Sequence, residues 1–151
     1  MNIQEAYDSV KLFNTIAGNL SNVTVESVDD QNSFVFEEVT EMIDGVEQEN
    51  PTELLDGAVD SFVTVVGQLQ KLEAAGFNVQ EALSRVCANN LSKFPLATES
   101  VQYDESFTLN LNIEYGRYVI KDENNKIRKP SNFVPVDLSD LVNKDFFNTK
   151  E

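Results

Sequence analysis

Residues 50–75, "NPTELLDGAVDSFVTVVGQLQKLEAA", decide the fold. Asn50 reads as a helix N-cap, Pro51 as the first helical residue, and Glu53 as the residue that closes a capping box. Gly76 ends the run. Most of this helix is apolar on more than one face. It therefore belongs at the centre of the fold or in the interface of an oligomer.

Three further helices surround it. Residues 2–18 place Ile3, Ala6, Tyr7, Val10, Phe13, Ile16 and Ala17 at helical spacing, with Gly18 and Asn19 able to end the helix. Residues 19–30 read as a polar loop with a short β-prone segment, Val23 to Val25. A second helix is expected from about Asn32 to Glu47, its apolar stripe formed by Val35, Val39, Met42, Ile43 and Val46. Asn78 and Glu81 repeat the capping pattern and open a fourth helix, to about Ser92. Further on, "YGRYVIKDENNKIRK" (115–129) alternates about a Glu-Asn-Asn turn and reads as a β-hairpin. "VDLSDLV" (136–142) reads as a last short helix. The expected fold is mainly α: a four-helix core over 1–95, with a C-terminal extension over 96–151 that carries a short β-hairpin and belongs to the same domain.

Composition narrows the chemistry. The 151 residues suit one domain with a real core, and 41 % apolar content excludes an acidic disordered tail. No apolar run approaches the ~20 residues that span a bilayer, and the N-terminus lacks a signal-peptide pattern. The single Cys87, expected in the core, forms no internal disulfide. A cytoplasmic, membrane-free setting is the expectation. A net charge of −15 disfavours binding a nucleic-acid polymer but not a nucleotide delivered with a divalent metal. With no histidine, Ser-His and Cys-His catalysis are excluded, as are histidine-containing metal sites. The tools left are carboxylates, lysines, arginines and a hard cation.

Charge is unevenly placed. Between Lys11 and Lys71 there is no base, and the interval holds twelve acids. Glu37, Glu38 and Glu41 share one side of the second helix, and Asp56 and Asp60 share one side of the third. Helices joined by a short loop around Asn50 pack antiparallel, so the two sets can face each other. Converging carboxylates without a local base are costly unless a cation binds, and oxygen-only ligation favours Mg²⁺ or Mn²⁺. Such an ion brings phosphate chemistry, and a spare carboxylate can activate water. A solvated acidic face is the plain alternative.

These pieces resemble a known family. "EEVTE" (37–41), a short loop, then "LLDGAVDSFVTVVGQLQKL" (54–72) look like the MazG-like, all-α nucleoside triphosphate pyrophosphohydrolases. That family carries Glu-Glu-x-x-Glu on one helix and Glu-x-x-Asp on the next. "VCANNLSKF" (86–94) and "YGRYVIKDENNKIRKPSNFVPVDL" (115–138) look like its small phage and bacterial members. The resemblance covers about residues 30–95 well and the tail loosely. The first motif matches at Glu37, Glu38 and Glu41. In the second, aligning Asp60 puts Gly57 where glutamate is usual, and Asp56 stands in; Glu53 with Asp56 fits the pattern formally.

The resemblance implies hydrolysis of a (deoxy)nucleoside triphosphate between the α and β phosphates, Mg²⁺ (or Mn²⁺) dependence, and a homodimer or homotetramer. It implies metal held by Glu37, Glu38, Glu41 and Asp60, assisted by Asp56, with Glu37 or Glu38 activating water. Asn90 and Lys93 would meet base or ribose and phosphate. Arg117, Lys126, Arg128 and Lys129 would form a basic hairpin over the triphosphate. The alternative is a non-catalytic helical dimer that binds nucleotide or protein.

Overall fold

The computed structural model describes residues 1–149. It is mainly helical, with one small antiparallel sheet. Helix α1 spans Ile3–Ile16, and its capping box pairs the Asn2 side chain with the Glu5 amide (2.9 Å) and the Glu5 carboxylate with the Asn2 amide (2.8 Å). Helix α2 spans Val25–Glu47. It begins about two turns earlier than its apolar stripe suggested, so the segment expected as a loop is partly helix. Thr24 is its N-cap, and Ser27 returns the bond to complete a second box. Glu49, at φ 53°, turns the chain, and the Asn50 amide donates to the Gly45 carbonyl (2.8 Å). Asn50 then caps α3, Pro51–Ala74, accepting from the Thr52 and Glu53 amides. Helix α4 spans Val79–Leu91.

Contacts group the chain into two units, Met1–Val79 with the chain from Leu141, and Gln80–Asp140. In the first, α2 and α3 run antiparallel. Gly45 lies against Leu54 at one end and the Lys71 ammonium donates to the Ser27 carbonyl (2.8 Å) at the other. Between them, Gln31 Nε2 donates to the Thr64 carbonyl (2.9 Å), and Gln68 Nε2 to the Val28 carbonyl (2.9 Å) and Asn32 Oδ1 (2.6 Å). The seam is polar. Asn14, Gln31, Ser61, Gln70 and Lys71 are buried, while on α1 to α3 only Val10 and Val66 are buried large apolar residues.

The expected apolar stripes are only partly covered: Val10 is buried and Val35, Val39 and Met42 are half-buried, but Phe13 (69 %), Ile16 (78 %), Ile43 and Val46 (62 %) lie exposed. Phe34 and Phe36 (75 %) on α2 and Leu55 (67 %), Val59 and Phe62 on α3 are exposed as well. At the end of this unit Phe146 stacks edge-on with Phe77 (centroids 5.5 Å apart) and with Phe147 (5.2 Å). Phe146–Thr149 is a 3-10 helix, so the last helical turn comes later than residues 136–142.

In the second unit β1, Thr108–Asn112, pairs with β2, Arg117–Lys121, placing Leu109 opposite Ile120 and Leu111 opposite Tyr118. The hairpin turn is 113–116, closed by Gly116 at φ 60°. The expected hairpin is thus shifted: its first strand is the second strand here. The Glu-Asn-Asn turn follows it, closed by a single bridge between Lys121 and Ile127. Arg85 binds Asp140 through both nitrogens (2.6 and 3.0 Å) and Glu81 (2.9 Å). Cys87 is exposed rather than in a core.

Candidate functional site

Two glycines set the distance between α2 and α3. A β-carbon on Gly57 would stand 2.5 Å from the Met42 nitrogen and 3.0 Å from the Glu41 carbonyl carbon. One on Gly45 would stand 2.4 Å from the Leu54 nitrogen. The backbones touch, so no side chain of any kind fits at Gly57. The position where a glutamate was expected by resemblance is occupied by the opposing helix.

That close approach places the first-motif acids beside Asp60. Glu38, Glu41 and Asp60 are half-buried; Glu37 and Asp56 are exposed. Glu38 Oε2 has no accessible surface and no hydrogen-bond partner. The Glu38 carboxyl is held above the usual range, first by burial, then by the charges of Glu41, Asp60 and Glu37. Three of the other four expected carboxylates, Glu41, Asp60 and Glu37, therefore act on Glu38. Asp56 lies on the exposed side of the same helix. Among the described residues, no three acidic or cysteine side chains are arranged as a ready metal cage.

Glu38 also lines an open groove of about 420 Å³ beside α1, α2 and α3. Its walls include Phe13, Phe34 and Val63, with Asn14, Asn19, Gln31 and Thr64 supplying polar groups. Gly67 forms part of it; a β-carbon there would meet Gln31 Nε2 at 3.0 Å. Glycines inside helices, each costing about 1 kcal/mol relative to alanine, were the sequence signal for this packing.

The other expected residues belong to the second unit. Asn90 is exposed and accepts from the Lys93 ammonium (3.0 Å). Arg117 donates to the Phe94 carbonyl (2.9 Å), and the Lys129 ammonium lies 4.9 Å from the Phe133 ring centre. Arg128 pairs with Asp122 (2.8 Å) and sits over Phe107. Lys126 is exposed. The basic segment is thus partly committed to its own turn. A cavity of about 510 Å³ in this unit is lined by Arg85, but that guanidinium is already held by Asp140 and Glu81.

No helix among the described residues is long and apolar enough to cross a membrane. Compared with known protein families, curated proteins and solved structures, the chain matches none of them.

Proposed function

We propose that the chain is a Mg²⁺-dependent pyrophosphohydrolase that cleaves (deoxy)nucleoside triphosphates between the α and β phosphates. The observation that carries this reading is the enclosed, unpartnered Glu38 Oε2 in the field of Glu41, Asp60 and Glu37. An acid in that position is costly without a cation, and an all-oxygen donor set suits Mg²⁺, with Mn²⁺ as a substitute. Glu38, Glu41 and Asp60 are the residues to hold it, and exposed Glu37 is the base for water. When bound, the metal would neutralise phosphate charge.

A second copy of the chain would cover the apolar side chains left exposed on α2 and α3, among them Phe36 and Leu55; a stable interface needs about 800 Å² on each side. A helical unit with so few buried apolar side chains needs a partner that is present whenever it folds.

Gly57 favours a second reading, a non-catalytic nucleotide- or protein-binding dimer, because no carboxylate fits there. Pyrophosphate release from a panel of NTPs and dNTPs, with Mg²⁺ or EDTA, separates the two. Release lost with EDTA and in Asp60→Asn supports hydrolysis. Silence from folded, dimeric protein overturns it.

A further inference from the structure

We propose that the open edge of β1, Thr108–Asn112, pairs antiparallel with β1 of a second copy of the chain, about a two-fold axis at Asn110. This contact is separate from the one proposed for α2 and α3, and it does not depend on the hydrolase reading.

The hydrogen bonds of the hairpin determine which backbone groups β1 leaves unused. In an antiparallel ladder, facing residues alternate between pairs that exchange both N–H···O bonds and pairs that exchange none. On β2 the Tyr118 amide donates to the Pro95 carbonyl (2.8 Å), and the Ile120 carbonyl accepts from the Arg128 amide (2.8 Å). Both residues therefore turn these groups away from β1. Leu111 faces Tyr118 and Leu109 faces Ile120. The N–H and C=O groups of Leu109 and Leu111 accordingly point out of the opposite side of the hairpin. Among the described residues nothing bonds to them. The far edge of β2 is occupied by bridges to Leu96 and Ile127, whereas the sheet ends at β1.

Proteins ordinarily blunt an open edge with lysine, proline, a bulge or a covering segment. The stretch "TLNLN" carries no charge and no proline, and its register with β2 is unbroken. Thr108, Asn110, Leu111 and Asn112 are exposed.

A second copy fits this edge because the strand reads nearly the same in both directions. A two-fold at Asn110 sets Leu109 opposite the partner's Leu111, and Leu111 opposite the partner's Leu109. These are the residues with outward backbone groups, so each pair exchanges both bonds. On one face leucine covers leucine, including the exposed Leu111. On the other, Asn110 meets its own counterpart and Thr108 meets the partner's Asn112. Two chains that each carry a charge of −15 repel, and an uncharged strand lets them join with no acid opposite an acid.

The test is sedimentation of the full chain carrying Asn110→Asp, of the chain carrying Asn110→Lys, and of their equimolar mixture. The pair at the axis is of the kind without mutual hydrogen bonds, with α-carbons about 4.5 Å apart, so like charges there repel. Each variant alone is expected at no more than half the wild-type mass, with its circular dichroism retained, and the mixture should regain the wild-type mass. Asn110→Cys in a Cys87→Ser background should oxidise to a covalent dimer, since that spacing suits a disulfide. Thr108→Cys in the same background, two residues off the axis, should not. Monomeric wild type, wild-type mass in both charge variants, a mixture that stays dissociated, or equal cross-linking at 108 and 110 overturns the proposal. Copies joined only through α2 and α3 would keep the wild-type mass in both charge variants, so that outcome removes the β1 contact and leaves the helical one and the hydrolase standing.

Discussion

Gly57 on α3 lies against the backbone of Met42 on α2, so closely that a β-carbon would stand 2.5 Å from the Met42 nitrogen. Backbone cannot yield as a side chain can. Gly57→Ala is expected to cost at least about 2 kcal/mol despite alanine's better helix propensity. Gly67→Ala, whose nearest neighbour is the end of the Gln31 side chain, should be near neutral. Urea unfolding at fixed protein concentration checks both; equal stability of wild type and Gly57→Ala would show that the helices are not in contact there.

Glu38 trades stability for function in the proposed site. Its carboxyl titrates above the ordinary glutamate range, so the native state holds a proton that the unfolded chain has lost. Stability therefore falls as pH rises from the unfolded value through the folded one, and stays lower above it. Glu38→Gln should remove that fall and raise the neutral-pH melting temperature in EDTA. The same change should cut turnover at least ~100-fold. It should also abolish the rise in melting temperature that Mg²⁺ gives the wild type. Thermal scans with and without Mg²⁺ read all but the turnover directly, and a Mg²⁺ shift retained in Glu38→Gln would remove Glu38 from the metal site.

Lys71 is buried with the Ser27 carbonyl as its hydrogen-bond partner. Burial lowers its ammonium below the usual lysine range, partly opposed by Asp30. Between that lowered value and the unfolded lysine value the unfolded chain binds more protons, so stability rises with pH in that window. Lys71→Met keeps the stem and removes the charge. It should match or exceed wild-type stability at pH 7 and lack the climb towards pH 10. Parallel climbs in both proteins would rule Lys71 out as its source.

Leu55 and Phe36 are exposed in one copy of the chain. On a free surface Leu55→Glu and Phe36→Glu would change stability by no more than ~0.5 kcal/mol. In an interface between copies each should lower the mass seen by sedimentation and destabilise the fold. Monomeric wild type with both variants unchanged would leave that face without the proposed partner.

The sequence made α3 legible because Asn50, Pro51 and Gly76 punctuate it with backbone chemistry that needs no tertiary context. The start of α2 was hidden because Val23 and Val25 are β-branched and because Ser27, rather than Glu or Gln, closes the box with Thr24. The hairpin was half legible: Arg117–Lys121 alternates clearly, whereas its partner "TLNLN" carries asparagines that read as loop. In the site, helical spacing put Glu38 and Glu41 on one side and Asp60 opposite. What spacing could not convey was that Asp56 would stay exposed, since that depends on how α3 is rotated against Met42. Gln31, Gln70 and Lys71 were missed for a related reason. Amides and lysines on helices ordinarily face water, and only contact with a second helix tells otherwise.

The polar seam between α2 and α3 has a consequence for how this chain tolerates change. In most helical domains a saturation library is harshest at buried leucines and valines and lenient at amides. Here Gln31, Gln68, Gly45 and Gly57 stand where those leucines would. A one-turn slide of α3 along α2 would strip the Gln31, Gln68 and Lys71 donors of their carbonyls at once. The fitness map should therefore be inverted: tolerant of aliphatic exchange at many apolar positions, and unforgiving at glutamine and glycine.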